Sequence, residues 1–261
     1  IKDDSDYKNK KRETMKVGVT ALPEFPKDST DRNRTSPFAF TGNKFEFRML
    51  GSNDSIACAN IMINTIVADE LERFADELEK ADDFMDAVHD LVKNCITEHY
   101  DIIFNGNGYS DEWVAEAERR GLLNLKTTPD ALPYYIHPEN LELFKRHGVY
   151  NETEMHARYE ILMEEYSKVI NIEALTMVDM VKKDYIPSIS EYQRSLCDTI
   201  LSKREVCESI PCETEKNILS RVAQLADSIY AKNAELDNAI KNVPSEKSAT
   251  EIAFYYKDEV I

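Results

Sequence analysis

The sequence predicts an α+β chain: a strand hairpin with helices behind it, followed by a mostly α-helical C-terminal region. Three observations predict it. The apolar runs Pro37-Phe38-Ala39-Phe40 and Phe45-Glu46-Phe47 flank Thr41-Gly42-Asn43, a Gly-containing turn between strand-like segments. Between Ile56 and Phe74 the apolar residues fall mostly three or four apart, the spacing of a helix with one buried face. After Asn151 the chain runs for long stretches without Gly or Pro, which otherwise interrupt helices.

Taken in order, residues 1–16 are lysine-rich but carry Asp3, Asp4, Asp6 and Glu13 among the bases, so they read as a solvated helix end or loop. Val17 to Pro26 is an irregular, proline-punctuated approach to the hairpin. Asn53, Asp54 and Ser55 are candidate caps for a helix running to about Lys80. A second helix is expected over Asp82 to about Tyr100. Asn105-Gly106-Asn107-Gly108 breaks the pattern; it lacks the glycine spacings of known phosphate loops and reads as a connection. Ser110 or Asp111 then caps a short helix bearing Trp113, read as a packing anchor. Thr127-Thr128-Pro129-Asp130 with Leu132-Pro133 reads as a loop-rich patch, and Pro138 starts another short helix. Three long helices follow, over Glu152 to Tyr185, Pro187 to about Ser209 and Cys212 to Val243, with prolines as their boundaries. In the last, Ile218, Val222, Leu225, Ile229, Leu236 and Ile240 form an apolar seam, so the antiparallel helices can pack as a bundle. The expected organisation is 1–105, 106–150 and 151–261.

Charge narrows the partners. The 261 residues include 32 basic and 49 acidic ones, a net charge of −17. Residues 1–50 hold 11 basic and 8 acidic residues, which leaves 21 basic and 41 acidic in the remaining 211. A surplus this acidic argues against nucleic acid or an anionic membrane as partner, and no apolar run reaches the length of a transmembrane helix. No signal peptide is visible at Ile1, and the missing initiator Met suggests a fragment of a longer protein. Cys58, Cys95, Cys197, Cys207 and Cys212 form no C-x-x-C pair. An odd count without a secretory signal reads as reduced thiols in a cytoplasmic protein. His89, His99, His137, His147 and His156 show no metal-ligand spacing and read as surface or cap residues.

The hairpin carries the chemistry. Period-two alternation sets Lys44, Glu46 and Arg48 on one face of its second strand and Phe45 and Phe47 on the other. Such a strand is either an amphipathic edge with a solvated face or a site for phosphate, carboxylate and a hard metal ion. The string Thr30 to Arg48, TDRNRTSPFAFTGNKFEFR, resembles the signature of glutamine synthetase, and more narrowly its long type III class. In that family an NR[ST] arginine precedes a hairpin carrying a Glu-x-Arg triplet; here these are Asn33-Arg34-Thr35 and Glu46-Phe47-Arg48. Asp111 to Asn124 (with Glu118-Arg119-Arg120-Gly121-Leu122-Leu123) and Leu143 to Glu173 (with Phe144-Lys145-Arg146-His147-Gly148-Val149) also resemble the type III class.

The resemblance implies roles residue by residue. Glu46 matches a glutamate that ligates a divalent metal, Mg2+ or Mn2+, among the nucleotide phosphates. Arg34 matches an arginine on the transferred phosphoryl group, and Arg48 one that holds glutamate and the phosphoryl charge. Lys44 sits where short-chain relatives have an arginine directed at the phosphates of ATP. Those relatives carry a further arginine where this chain has Ala39, so that contact has to come from elsewhere. The implied fold is the end of the family's catalytic α/β sheet domain followed by the helical C-terminal region. The implied reaction is ATP-dependent ligation of ammonia to glutamate through a γ-glutamyl phosphate, in an enzyme of stacked hexameric rings. Remaining metal glutamates, the ammonium-binding acid and a β-grasp domain are expected ahead of Ile1, so the chain alone is expected to be inactive. Two other readings stay open: a carboxylate–amine ligase acting on another amine, and a non-catalytic helical interaction module.

Overall fold

The computed structural model describes residues 55–102 and 110–261, together with the backbone of four short strands. Those strands form two antiparallel pairs, β1 (Thr14–Met15) with β2 (Phe25–Pro26) and β3 (Phe38–Phe40) with β4 (Phe45–Phe47). Among the described residues neither pair grows into a wider sheet. The α+β expectation is therefore corrected: among the described residues the architecture is helical, with no sheet layer for helices to pack against. The physical reason is length. Two or three residues a side are too few to sustain a sheet, which needs at least three strands with an apolar face or a covering helix. The chain divides into two compact units, Ile1–Asn124 and Leu125–Ile261.

In the first unit, α1 (Ala57–Leu78) and α2 (Phe84–Glu98) form a helical hairpin. Asp83 sets the start of α2, its carboxylate accepting from the amides of Met85 and Asp86 at 2.9 and 3.0 Å. This satisfies donors that have no partner within the helix. Leu71, Phe74, Leu78, Val88, Leu91 and Ile96 line the groove between the two helices, and Leu91 is buried. A 3-10 turn, Tyr100–Ile102, ends this element. The helix α3 (Asp111–Arg119) is capped by Ser110, as expected.

The second unit is built on α6 (Glu152–Met180). Asn151 and Glu154 form a reciprocal capping box at its start, with both bonds at 2.9 Å, an arrangement that fixes the entry of the chain. Met155, Tyr159, Met163, Ser167, Ala174 and Val178 are buried along one face. Against that face lie α4 (Thr128–Tyr135), α8 (Glu213–Lys241) and α9 (Ala249–Tyr255). α5 (Pro138–Arg146) also packs on α6, and α7 (Ile186–Val206) packs along α8. The patch expected to be a loop at Thr127–Pro133 is the helix α4. Its first proline falls in the opening turn, where an amide hydrogen has no helical partner anyway. Thr127 caps this turn.

A helix end expected before Pro187 is absent. α6 passes through a π-helical turn, Val181–Tyr185, directly into α7. Ile186 donates to the carbonyl of Val181, five residues back. Widening the turn is one way a helix makes room for a ring that would otherwise strike the preceding turn. Lys182, tied to Asp237 of α8 at 2.9 Å, anchors this segment to its neighbour.

Candidate functional site

Of the residues expected to act on substrates, Arg34, Lys44 and Arg48 lie outside the described residues. Glu46 is described at the level of backbone only: it is the middle residue of β4 and pairs with Ala39 of β3. Ala39, where the family's short-chain arginine is missing, therefore stands opposite the candidate metal glutamate. The Asn105–Gly108 connection also lies outside the described residues.

The two further stretches of resemblance are described in full, and each contains a helix end marked by a glycine. Gly121 has φ 76° and Gly148 φ 64°, the left-handed region that glycine enters without strain. After α3, the amide of Leu122 donates to Ala117 at 3.0 Å and that of Gly121 to Glu118 at 2.9 Å. After α5, Val149 donates to Phe144 at 3.0 Å and Gly148 to Lys145 at 3.1 Å. Each is the paired bonding of a Schellman cap. Arg-Gly-Leu and His-Gly-Val thus end α3 and α5.

Electrostatics near the first cap are strong. Glu116 accepts from Arg119 and from Arg120 at 2.6 Å, and these guanidiniums lower its pKa to about 2. Arg120 also donates to the carbonyl of Asp101 at 3.1 Å and lies 5.5 Å from the centre of the Trp113 ring. Trp113 is half-buried and lies beneath a cation. At the second cap, Phe144 is buried and tilts against Tyr150, 5.6 Å away, and Tyr150 carries Arg158 at 4.4 Å.

Three long-range ties hold the C-terminal segment to the rest of the second unit, and the sequence reading missed all of them. Lys257 donates to Asp130 at 2.7 Å, Tyr159 meets Thr250 at 2.9 Å, and Tyr255 donates to the carbonyl of Ala239 at 3.0 Å. Lys257 and then Thr127 hold the Asp130 carboxyl below its ordinary pKa. The partners of the first pair lie 127 residues apart in the chain, so no local pattern announces them. A surface hollow of about 330 Å³ beside this segment is lined by Glu164, Ser167, Lys168, Asn171, Lys247 and Tyr256. Its charges are held in pairs, Lys168 with Glu164 and Lys247 with Glu251. All five cysteines are free thiols. His99 and His147 cap the ends of α2 and α5, and His137 the start of α5. Among the described residues no helix is long and apolar enough to cross a membrane.

Comparison with known proteins bears on the whole chain. Residues 87–204, from within α2 to near the end of α7, match the family model described as glutamine synthetase C-terminal domain. A glutamine synthetase of Butyrivibrio fibrisolvens is 38% identical over 242 residues, covering 91% of this chain and 34% of that protein. A type-3 glutamine synthetase of Dictyostelium discoideum is 36% identical over 254 residues (95% of this chain, 35% of its own length). A glutamine synthetase of Bacteroides fragilis is 32% identical over 255 residues, again 95% and 35%. Alignments that cover 95% of the chain necessarily include Thr30–Arg48. The chain spans about a third of the length of the curated relatives it matches. With a family model over its middle and named relatives along nearly all of it, the chain belongs to the glutamine synthetase family.

Proposed function

We propose that this chain supplies part of the active site of an ATP-dependent glutamate–ammonia ligase, with Arg34, Lys44, Glu46 and Arg48 as its working residues. The observation that carries the reading is the Thr30–Arg48 signature, set within alignments to glutamine synthetases over almost the entire chain. The reaction has ATP phosphorylate the γ-carboxylate of glutamate, after which ammonia displaces phosphate. Transfer of a phosphoryl group needs its oxygens neutralised and its partners aligned, and demands little covalent work of the protein.

The residue types suit that task. The Glu46 carboxylate offers hard oxygen donors, which Mg2+ and Mn2+ favour. One carboxylate fills at most part of a six-coordinate shell, so further ligands come from other acids, the nucleotide and water. The bound ion supplies charge neutralisation on the phosphate oxygens. Arg34 and Arg48 present planar forks that take a phosphate or carboxylate through two parallel bonds, which a lysine cannot copy. Lys44 adds a point charge for the nucleotide phosphates. The complete protein is read as a cytoplasmic homo-oligomer that needs the rest of its sequence for activity.

The test uses the complete enzyme. Arg48→Lys is expected to lower glutamine formation with ammonia on the order of 10²-fold, the loss typical of one oxyanion-stabilising group, while the oligomer still assembles. Near wild-type turnover in that variant sinks the assignment. A preference for larger amines over ammonia in the unmodified enzyme turns the reading towards a different γ-glutamyl ligase.

A further inference from the structure

The helix α6 has a buried apolar face and, on the side away from it, exposed aliphatic residues set among charges. One stripe, from Met155 through Tyr159, Met163 and Ser167 to Val178, is the buried face of the second unit. The opposite stripe steps by four and three residues through Ile161, Glu165, Lys168, Ile172, Leu175 and Asp179, so these side chains share one side of the helix. This side is open: Ile161 and Ile172 are each 62% exposed and Leu175 is 47% exposed. A single exposed isoleucine needs no explanation, whereas three exposed aliphatic side chains on one side of the helix, set among charges of both signs, suit a contact surface.

The charges along this side say what fits it. Lay a second copy of the helix antiparallel, with the two-fold axis crossing between Glu173 and Ala174. Ile172 of one copy then meets Leu175 of the second copy, and the reverse contact repeats it, as a two-fold interface requires. Lys168 faces Asp179 and Glu164 faces Lys183, opposite charges that meet twice across the axis. A parallel pairing in register sets Glu165 on Glu165, Lys168 on Lys168 and Asp179 on Asp179, which like-charge repulsion disfavours. Within one copy, Lys168 already bonds Glu164 at 2.8 Å and Lys183 bonds Asp179 at 2.6 Å. These side chains are therefore arrayed along the helix in the alternation the second copy reads.

We propose that the exposed Ile161–Lys183 face of this helix is a self-association surface, on which two copies of the chain pair antiparallel about an axis between Glu173 and Ala174. The inference gives a surface to the homo-oligomer reading above and rests on the helix pattern, not on ligase chemistry. Its test reads mass rather than turnover, so the two stand or fall separately.

Sedimentation of the full chain over a wide range of concentration tests it, with far-ultraviolet circular dichroism as a check on folding. The unmodified chain is expected to associate, and more weakly as salt rises. Lys168→Glu and Asp179→Lys are each expected to weaken association at least about tenfold, since each sets like charges together twice across the axis. The double variant K168E/D179K restores opposite charges between copies and is expected to recover association, although it loses both of the ion pairs within each copy that the single variants lose one at a time. A chain that stays monomeric, single reversals without effect, or a double variant no better than the singles overturns the proposal.

Discussion

Replacing Met163 by alanine removes three heavy atoms from a position that solvent does not reach. Met163 is 0% exposed and forms one cluster with Tyr159 and Ala253, ringed by Leu132, Tyr135, Ile136, Tyr166 and Ala249. Those neighbours come from α4, α6 and the segment holding α9, so one side chain joins three parts of the second unit. Each lost methylene-sized group forfeits ~0.8 kcal/mol of burial, and a cavity that helices close only partly adds to this. The total expected is about 3–4 kcal/mol, inside the range for such truncations. For a domain of this size it lowers Tm by about 10 °C. The assay is thermal unfolding followed at 222 nm, with Glu160→Ala, an exposed position on the same helix, as the control expected within about 0.5 kcal/mol. A fall in Tm below about 2 °C for Met163→Ala refutes the claim that this cluster is the core of the unit.

Further outcomes follow from the caps, the charges and the long-range ties. Gly148→Ala and Gly121→Ala meet open space at Cβ but positive φ, so each is expected to lose about 1–2 kcal/mol through backbone strain alone. Asparagine at either site should lose less in chemical denaturation. The Glu116 carboxyl titrates near 2 in the folded chain against an ordinary value of 4.5. Its contribution to α3 is complete above pH 4.5 and is lost as the pH falls towards 2. Emission from Trp113, the sole tryptophan, should report that loss, and Glu116→Gln should flatten the titration over this window. An unchanged profile in the variant argues against the cause given. Tyr159→Phe removes the bond to Thr250 and is expected to cost about 1 kcal/mol, read as faster proteolysis near α9.

Helix starts were readable where a side chain announces them, as Ser110 does, because a cap is a local bond between residues two or three apart. Proline was misleading in both directions. Pro187 reads as a terminator, yet the helix passes it through a π turn held by the Lys182–Asp237 pair. Pro129 and Pro133 read as loop, yet Thr127 caps a helix there, with Pro129 buried in it. Whether a proline ends a helix or only dents it depends on tertiary support that one sequence does not display. The alternation at Lys44–Arg48 marked a strand but carried no information on partners, so the expected sheet domain was an extension from resemblance. Nor could the glycines in the Arg-Gly-Leu and His-Gly-Val motifs be assigned from resemblance alone. Their positive φ and paired amide bonds make them structural.

The central claim concerns chemistry at the Thr30–Arg48 signature, and isotope transfer in the complete enzyme tests it most directly. With glutamate labelled by 18O in the γ-carboxylate, ATP and ammonia, the account requires one labelled oxygen to leave with inorganic phosphate for each glutamine formed. That transfer should fall in step with glutamine formation in Glu46→Gln and Arg48→Lys. Glutamine formed without label in the phosphate, or label transfer untouched by both substitutions, contradicts the account.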